Sequence, residues 1–164
     1  RRRPTGRRTG MEIVDILAED FVVTSLKATS KKQALEDLAQ KAAAGTGLQK
    51  RVIFDVLLER ERLGTTGVGS GIAIPHGKID GLDKLFGCFA RMEEPVDFDA
   101  IDGEPVDLIF LLLAPESAGA DHLKALARIS RVLRDHAKCD KLRTAATGKK
   151  IFGLLTRDAQ SQPA

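Results

Sequence analysis

Apolar residues along this chain keep two rhythms, one helical and one suited to strands. Ser30-Lys31-Lys32-Gln33 is a capping-box pattern, in which a hydroxyl and an amide serve the first free N–H groups of a helix. Ala34, Leu35, Leu38, Ala39 and Ala42 follow as one helical face, and Gly45 and Gly47 end it. The pattern predicts a second helix over residues 50–63, stopping at Gly64, and a third from 121 to about 135 on the stripe His122, Leu126, Ile129, Leu133. Shorter helices are predicted over 139–146 and 149–155, and a helical turn over 13–17. Strand composition marks 21–26, 72–74 and 85–92, where Phe86, Cys88 and Ala90 alternate with Gly87 and Phe89. Residues 107–114 hold an unbroken apolar run after Asp107, as a strand buried on both faces requires. Prolines, glycine and acids make 94–105 a loop or a short edge hairpin, and 115–120 a loop. Strands interspersed with helices predict an α/β layered domain.

Composition refines this picture at the ends. A chain of 164 residues with 43% hydrophobic content predicts one domain over 11–157 with one sizeable core. The formal charge of +3 comes from Arg1, Arg2, Arg3, Arg7 and Arg8; without them, 21 basic residues face 23 acidic ones. Residues 1–10 have no apolar period and are expected to be a disordered basic tail. They read as a vector-derived or upstream-translated extension before a start at Met11, with a basic arm for nucleic acid as the other reading. Residues 158–164 are expected to fray. Trp and Tyr are absent, which argues against base stacking by the core. No run of about 18 apolar residues is present to insert in a membrane. Cys88 and Cys139 lack CxxC spacing and fit a reducing, cytoplasmic setting.

The candidate chemistry gathers around His76. In Gly71-Ile72-Ala73-Ile74-Pro75-His76-Gly77-Lys78 an apolar run stops at Pro75, which cannot donate to a sheet ladder, and places an imidazole at a strand end. Upstream, Thr65, Thr66, Gly67, Gly69 and Ser70 form a glycine- and hydroxyl-rich loop whose N–H groups can turn toward an anion. A nucleophilic nitrogen beside an anion cradle suggests phosphoryl chemistry on the histidine. Two further residues stand on apolar stripes. Arg60 is almost in line with Ile53 at the last turn of its helix, and either snorkels to water or neutralises phosphate. His122 falls in the first turn of its helix after Asp121, a plausible N-cap, and is either a hydrogen-bonded core residue or an anion ligand. His136 reads as surface or a C-terminal cap. The loop is neither a Walker A motif nor a dinucleotide fingerprint, since Gly67-Val68-Gly69-Ser70-Gly71 places its third glycine one position early. The scattered histidines and cysteines match no zinc pattern, so no metal and no cofactor are expected.

Arg60-Glu61-Arg62-Leu63-Gly64-Thr65-Thr66-Gly67, the 71–78 string, the stretch from Phe98 to Leu108, and that from Pro115 through His122 to Arg134 together resemble the type-2 (fructose/mannitol-type) IIA domain of the bacterial phosphoenolpyruvate-dependent phosphotransferase system. The likeness covers nearly all of 11–157, and the 71–78 string and the Phe98-Asp99-Ala100-Ile101-Asp102 loop favour the nitrogen-regulatory branch. Ser70 departs from the asparagine expected between the glycines.

The resemblance implies a three-layer α/β/α sandwich with a mixed, mostly parallel central sheet. It implies that the ε nitrogen of His76 accepts a phosphoryl group from a histidine phosphocarrier protein (HPr or its nitrogen-branch relative NPr). His122 and Arg60 would stabilise the phosphate, with the 65–70 loop alongside. It implies a signal-transducing phosphocarrier with a phosphohistidine intermediate, in place of a stand-alone turnover enzyme. Its regulatory targets would be nitrogen- or potassium-related proteins such as sensor kinases or potassium transporters. Leu63, Ile72 and Ile74 are the apolar residues expected to support carrier docking. Two alternatives remain at this stage: a sugar-specific IIA component serving a IIB domain, and a binding module that never transfers phosphate.

Overall fold

A computed structural model describes residues 11–157; the basic segment 1–10 and the end 158–164 lie outside the described residues. Among the described residues, six strands form one sheet. In chain order the elements are β1 (Val22–Leu26), α1 (Lys31–Thr46), α2 (Lys50–Arg62), β2 (Gly67–Gly69), β3 (Ile72–Ala73), β4 (His76–Ile79), β5 (Phe86–Val96), β6 (Val106–Pro115), α3 (Ala120–Leu133), α4 (His136–Thr144) and α5 (Gly148–Thr156). The sheet order is β1-β5-β6-β3-β2, with β4 also on β6. Because β5 occupies one edge of β6, β3 and β4 share the other and follow one another along it. The β1/β5, β3/β6 and β4/β6 pairs are parallel; β5/β6 and β2/β3 are antiparallel.

Strand alternation in β6 divides the interior into two layers. Ile109, Leu111 and Leu113 meet Leu35, Leu38 and Ala42 of α1 and Ile53 and Leu57 of α2. Leu108, Phe110 and Leu112 meet Ile129 of α3, Leu142 of α4 and Ile151 and Leu155 of α5. Helices thus cover both faces of a mixed sheet, which is the expected three-layer α/β/α sandwich. Cys88 lies on the α1 side, and burial pushes its thiol up to about 12. No helix among the described residues is long and apolar enough to cross a membrane.

Local chemistry sets the helix ends. Ser30 Oγ accepts from Gln33 N–H, as the capping pattern requires, while Gln33 Oε1 reaches back to Thr29 N–H, one residue earlier than expected. Gly45 lies inside α1, where a Cβ would come within 2.5 Å of the Phe21 ring, and the helix ends at Gly47 in the left-handed region. β5 is longer than predicted and passes through Pro95, where a register shift between Arg91 and Val96 spares the proline a ladder bond. Gly119, with φ 58°, caps α3 in place of Asp121, which falls inside the first turn. Asp135 caps α4 by accepting from Lys138 N–H, so His136 opens that helix and does not close α3.

Candidate functional site

The break between β3 and β4 builds the site. Pro75 has no N–H to give, and its carbonyl accepts from Leu112 N–H at 3.0 Å. His76 therefore begins a new strand, opposite Leu112, where a strand terminus was expected. Its side chain is half-buried on the face that also carries exposed Lys78, while Gly77 and Ile79 point inward. Gly77 is required by packing, because a Cβ there would lie 2.5 Å from Val56 Cγ1 of α2. That close approach brings the end of α2 to His76.

Two contacts fix the imidazole. Its Nδ1 lies 2.8 Å from the Ile74 carbonyl, and Arg60 Nε lies 3.3 Å from its Nε2. A carbonyl oxygen can only accept and a guanidinium can only donate, so both contacts demand one tautomer. The proton is on Nδ1, and the lone pair is on Nε2. Arg60 is held further by its Nη1 donating to the Gly64 carbonyl at 2.8 Å. The His122 ring packs at a tilt, its centroid 5.6 Å from that of His76. His122 Nε2 is buried without a hydrogen-bond partner among the described residues, an uncommon condition for a polar atom.

Electrostatics favour the neutral form of both rings. Desolvation by burial lowers the His76 pKa below 6.5; the Ile74 hydrogen bond and Glu61 oppose it, and Arg60 reinforces it. Desolvation also lowers the His122 pKa, helped by His76 and Lys78. A neutral imidazole with its lone pair on Nε2, beside a guanidinium and a second imidazole ring, can attack an electrophile and hold an anion.

The structure brings His76, His122 and Arg60 together and leaves much of the 65–70 loop elsewhere. Thr66 is buried, and its hydroxyl and N–H both bind the Glu61 carboxylate. The Thr65 hydroxyl donates to the Phe98 carbonyl and accepts from Gly67 N–H. Gly67 and Gly69 lie in the β2/β3 hairpin. Gly69 pairs with Ile72, which lies beside Leu108, four residues from Leu112, or about 13 Å down the strand from His76. Ser70 N–H is taken by Asp102, and its carbonyl by Arg143. The glycines thus serve a tight hairpin, and the contact with Arg60 is made by the Gly64 carbonyl, ahead of the loop. The expected docking residues also separate. Leu63 is 80% exposed, whereas Ile72 and Ile74 are buried; Leu123, 68% exposed beside His122, was not anticipated.

Glu61 is a buried neighbour of the site that sequence reading does not single out. It is 8% exposed and completes the buried stripe Ile53, Leu57, Glu61 at intervals of four, a better helical match than Arg60. Lys78 was legible too, two residues from His76 on one strand face.

Residues 15–158 match the family described as "Phosphoenolpyruvate-dependent sugar phosphotransferase system, EIIA 2". The chain belongs to this phosphotransferase IIA type-2 family. Within it, the chain is similar to a nitrogen regulatory protein of Bradyrhizobium diazoefficiens, 57% identical over 88% of this chain and 95% of that one. The crystal structure of the nitrogen regulatory protein IIA-Ntr from Neisseria meningitidis superposes with a TM-score of 0.84 at 37% identity, covering 88% of this chain and 99% of that one. A fructose-specific EIIA component of Haloferax volcanii is 41% identical over 77% of this chain and 82% of that one. Nitrogen-regulatory and sugar-specific relatives alike match most of this chain.

Proposed function

We propose that this protein accepts a phosphoryl group on Nε2 of His76 from a phosphohistidine carrier, HPr or NPr, and that the modification changes which regulatory partner it binds. The observation that carries the reading is that His76 Nε2 holds its lone pair toward Arg60, with the His122 ring, whose Nε2 is unpartnered among the described residues, packed against it. In the transfer, the N–P bond of the carrier breaks as the Nε2–P bond forms. The electron pair of the broken bond returns to the carrier's imidazole. The proton stays on His76 Nδ1, donated to the Ile74 carbonyl throughout, so the attack needs no proton transfer from His76. Transition states of phosphoryl transfer are loose, so the protein's part is positioning and charge stabilisation. Arg60 gives up its contact with the lone pair and turns to the phosphoryl oxygens, tethered by Gly64. His122 supplies a second contact from the first turn of α3, where the helix favours an anion. Exposed Leu63 and Leu123 flank the site as apolar ground for the carrier.

Likeness to nitrogen regulatory proteins supports a regulatory output over sugar uptake. Under this reading the targets are nitrogen- or potassium-related proteins, such as a sensor kinase or a potassium transporter, that distinguish the two forms. The test is intact mass after mixing the protein with phosphoenolpyruvate, enzyme I and the carrier, with His76→Ala alongside. The expected result is one acid-labile phosphate on the wild type alone; no gain with carriers of either branch points to a non-transferring binding module. Similarity to the fructose-specific relative favours one second reading, a IIA component that serves a IIB domain. Fast onward transfer to an isolated fructose-type IIB domain would establish it.

A further inference from the structure

We infer that Glu61 is a positioning residue for His76, acting through Thr66 and Ile74 to hold the imidazole in its Nδ1–H form. A buried carboxylate is unfavourable unless it is paired and hydrogen-bonded. Here both oxygens are engaged. Oε1 accepts from Thr66 N–H at 3.2 Å and pairs with Lys31 Nζ at 2.8 Å, while Oε2 receives the Thr66 hydroxyl. Lys31 opens α1, also reaches Asp99 at 3.6 Å, and lies over the Phe98 ring. The bonds continue toward the site: the Thr66 carbonyl accepts from Ile74 N–H at 2.9 Å, and the Ile74 carbonyl accepts from His76 Nδ1 at 2.8 Å. Beyond Ile74, Pro75 restricts the backbone and is pinned by Leu112. Ile74 is thus held on both sides, and the carboxylate anchors the upstream side without touching His76.

Stability alone gives weak reason for this arrangement, because a buried ion pair replaced by apolar residues of similar volume is often neutral or stabilising. Apolar side chains could fill the space, but they could not hold the N–H and hydroxyl of Thr66 at once. The orientation of the Thr66 carbonyl, and through Ile74 one of the two contacts that set the His76 proton, depends on those two bonds.

That the tautomer serves phosphoryl transfer rests on the function proposed above; the tautomer itself does not. The experiment reads both, by long-range nitrogen–proton NMR of the His76 ring and by the rate of phosphate acceptance. The wild type is expected to show a protonated Nδ1. Glu61→Ala is expected to populate the Nε2–H form substantially and to slow acceptance by roughly tenfold to a hundredfold, as small misplacements of reacting groups do. Glu61→Gln, which keeps an acceptor for Thr66 N–H, is expected to restore most of both. Thr66→Val removes only the hydroxyl link and gives a smaller shift in the same direction; it decides the matter if Glu61→Ala does not fold. A folded Glu61→Ala or Thr66→Val protein whose His76 keeps the wild-type proton position overturns the inference. A tautomer shift in Glu61→Ala, in a protein whose wild type takes no phosphate, would refute the phosphocarrier reading and leave this one standing.

Discussion

At Ser70 the backbone takes φ 59°, between Gly69 at 103° and Gly71 at 82°. Three successive left-handed residues make the β2/β3 turn, and only the middle one has a Cβ to crowd it. Asn tolerates this region better than Ser, and a left-handed L-residue costs about 1–2 kcal/mol. Ser70→Asn should therefore raise stability by roughly half to one kcal/mol, seen as a higher urea midpoint at unchanged slope. A lower midpoint would mean that the serine hydroxyl matters to the turn. At the site, His122→Ala removes a ring whose buried nitrogen has no partner in the resting protein. The fold should survive, and phosphate acceptance should slow by about two to three orders of magnitude, the usual effect of losing one charge-stabilising donor. Quench-flow rates would show it, and an unchanged rate would remove His122 from the mechanism.

Elements carry the next set of consequences. The contact of Gly77 with Val56 fixes how β4 lies under α2, and therefore how Arg60 meets His76. Gly77→Ala should destabilise the fold by about 1–3 kcal/mol through overpacking. Adding Val56→Ala should recover part of that loss, a coupling that thermal unfolding of the two singles and the double would reveal. Most elements were legible because their periodicity is strong: α1 by its cap and alanine-rich face, β6 by its apolar run. The two failures near the site share a cause. A glycine-rich segment looks alike whether it cradles an anion or turns a hairpin, and the answer depends on its pairing with Ile72, which lies outside its own residues. Arg60 and His122 stood out as polar groups on apolar stripes. Glu61 lies on such a stripe as well, but what it binds is not written in its own helix, since its partners Lys31 and Thr66 come from another helix and a loop.

Taken as a whole, the molecule folds best with both site histidines neutral. Each has its pKa lowered from 6.5 in the folded chain, so below that value the unfolded chain binds more protons. Stability should hold above pH 6.5 and fall as pH drops from there toward the folded values. A His76→Gln/His122→Gln double variant should flatten this slope in melting temperatures measured from pH 7.5 to 5; an unaltered slope would locate the proton uptake elsewhere. The layered architecture was readable from the order of elements, whereas the meeting of α2, β4 and α3 at one point needed the fold. One consequence follows from β6, the strand on which β4 and hence His76 is carried. Covered by helices on both faces and by neighbours on both edges, it should exchange its amide hydrogens among the slowest in the chain. A phosphate added to so rigid a platform alters charge and outline at one spot while the scaffold keeps its shape. A partner that tells the two forms apart must then touch the rim of His76 itself. Partner-specific loss-of-recognition substitutions should cluster within a phosphate's reach of that ring, with the far layer of helices largely silent.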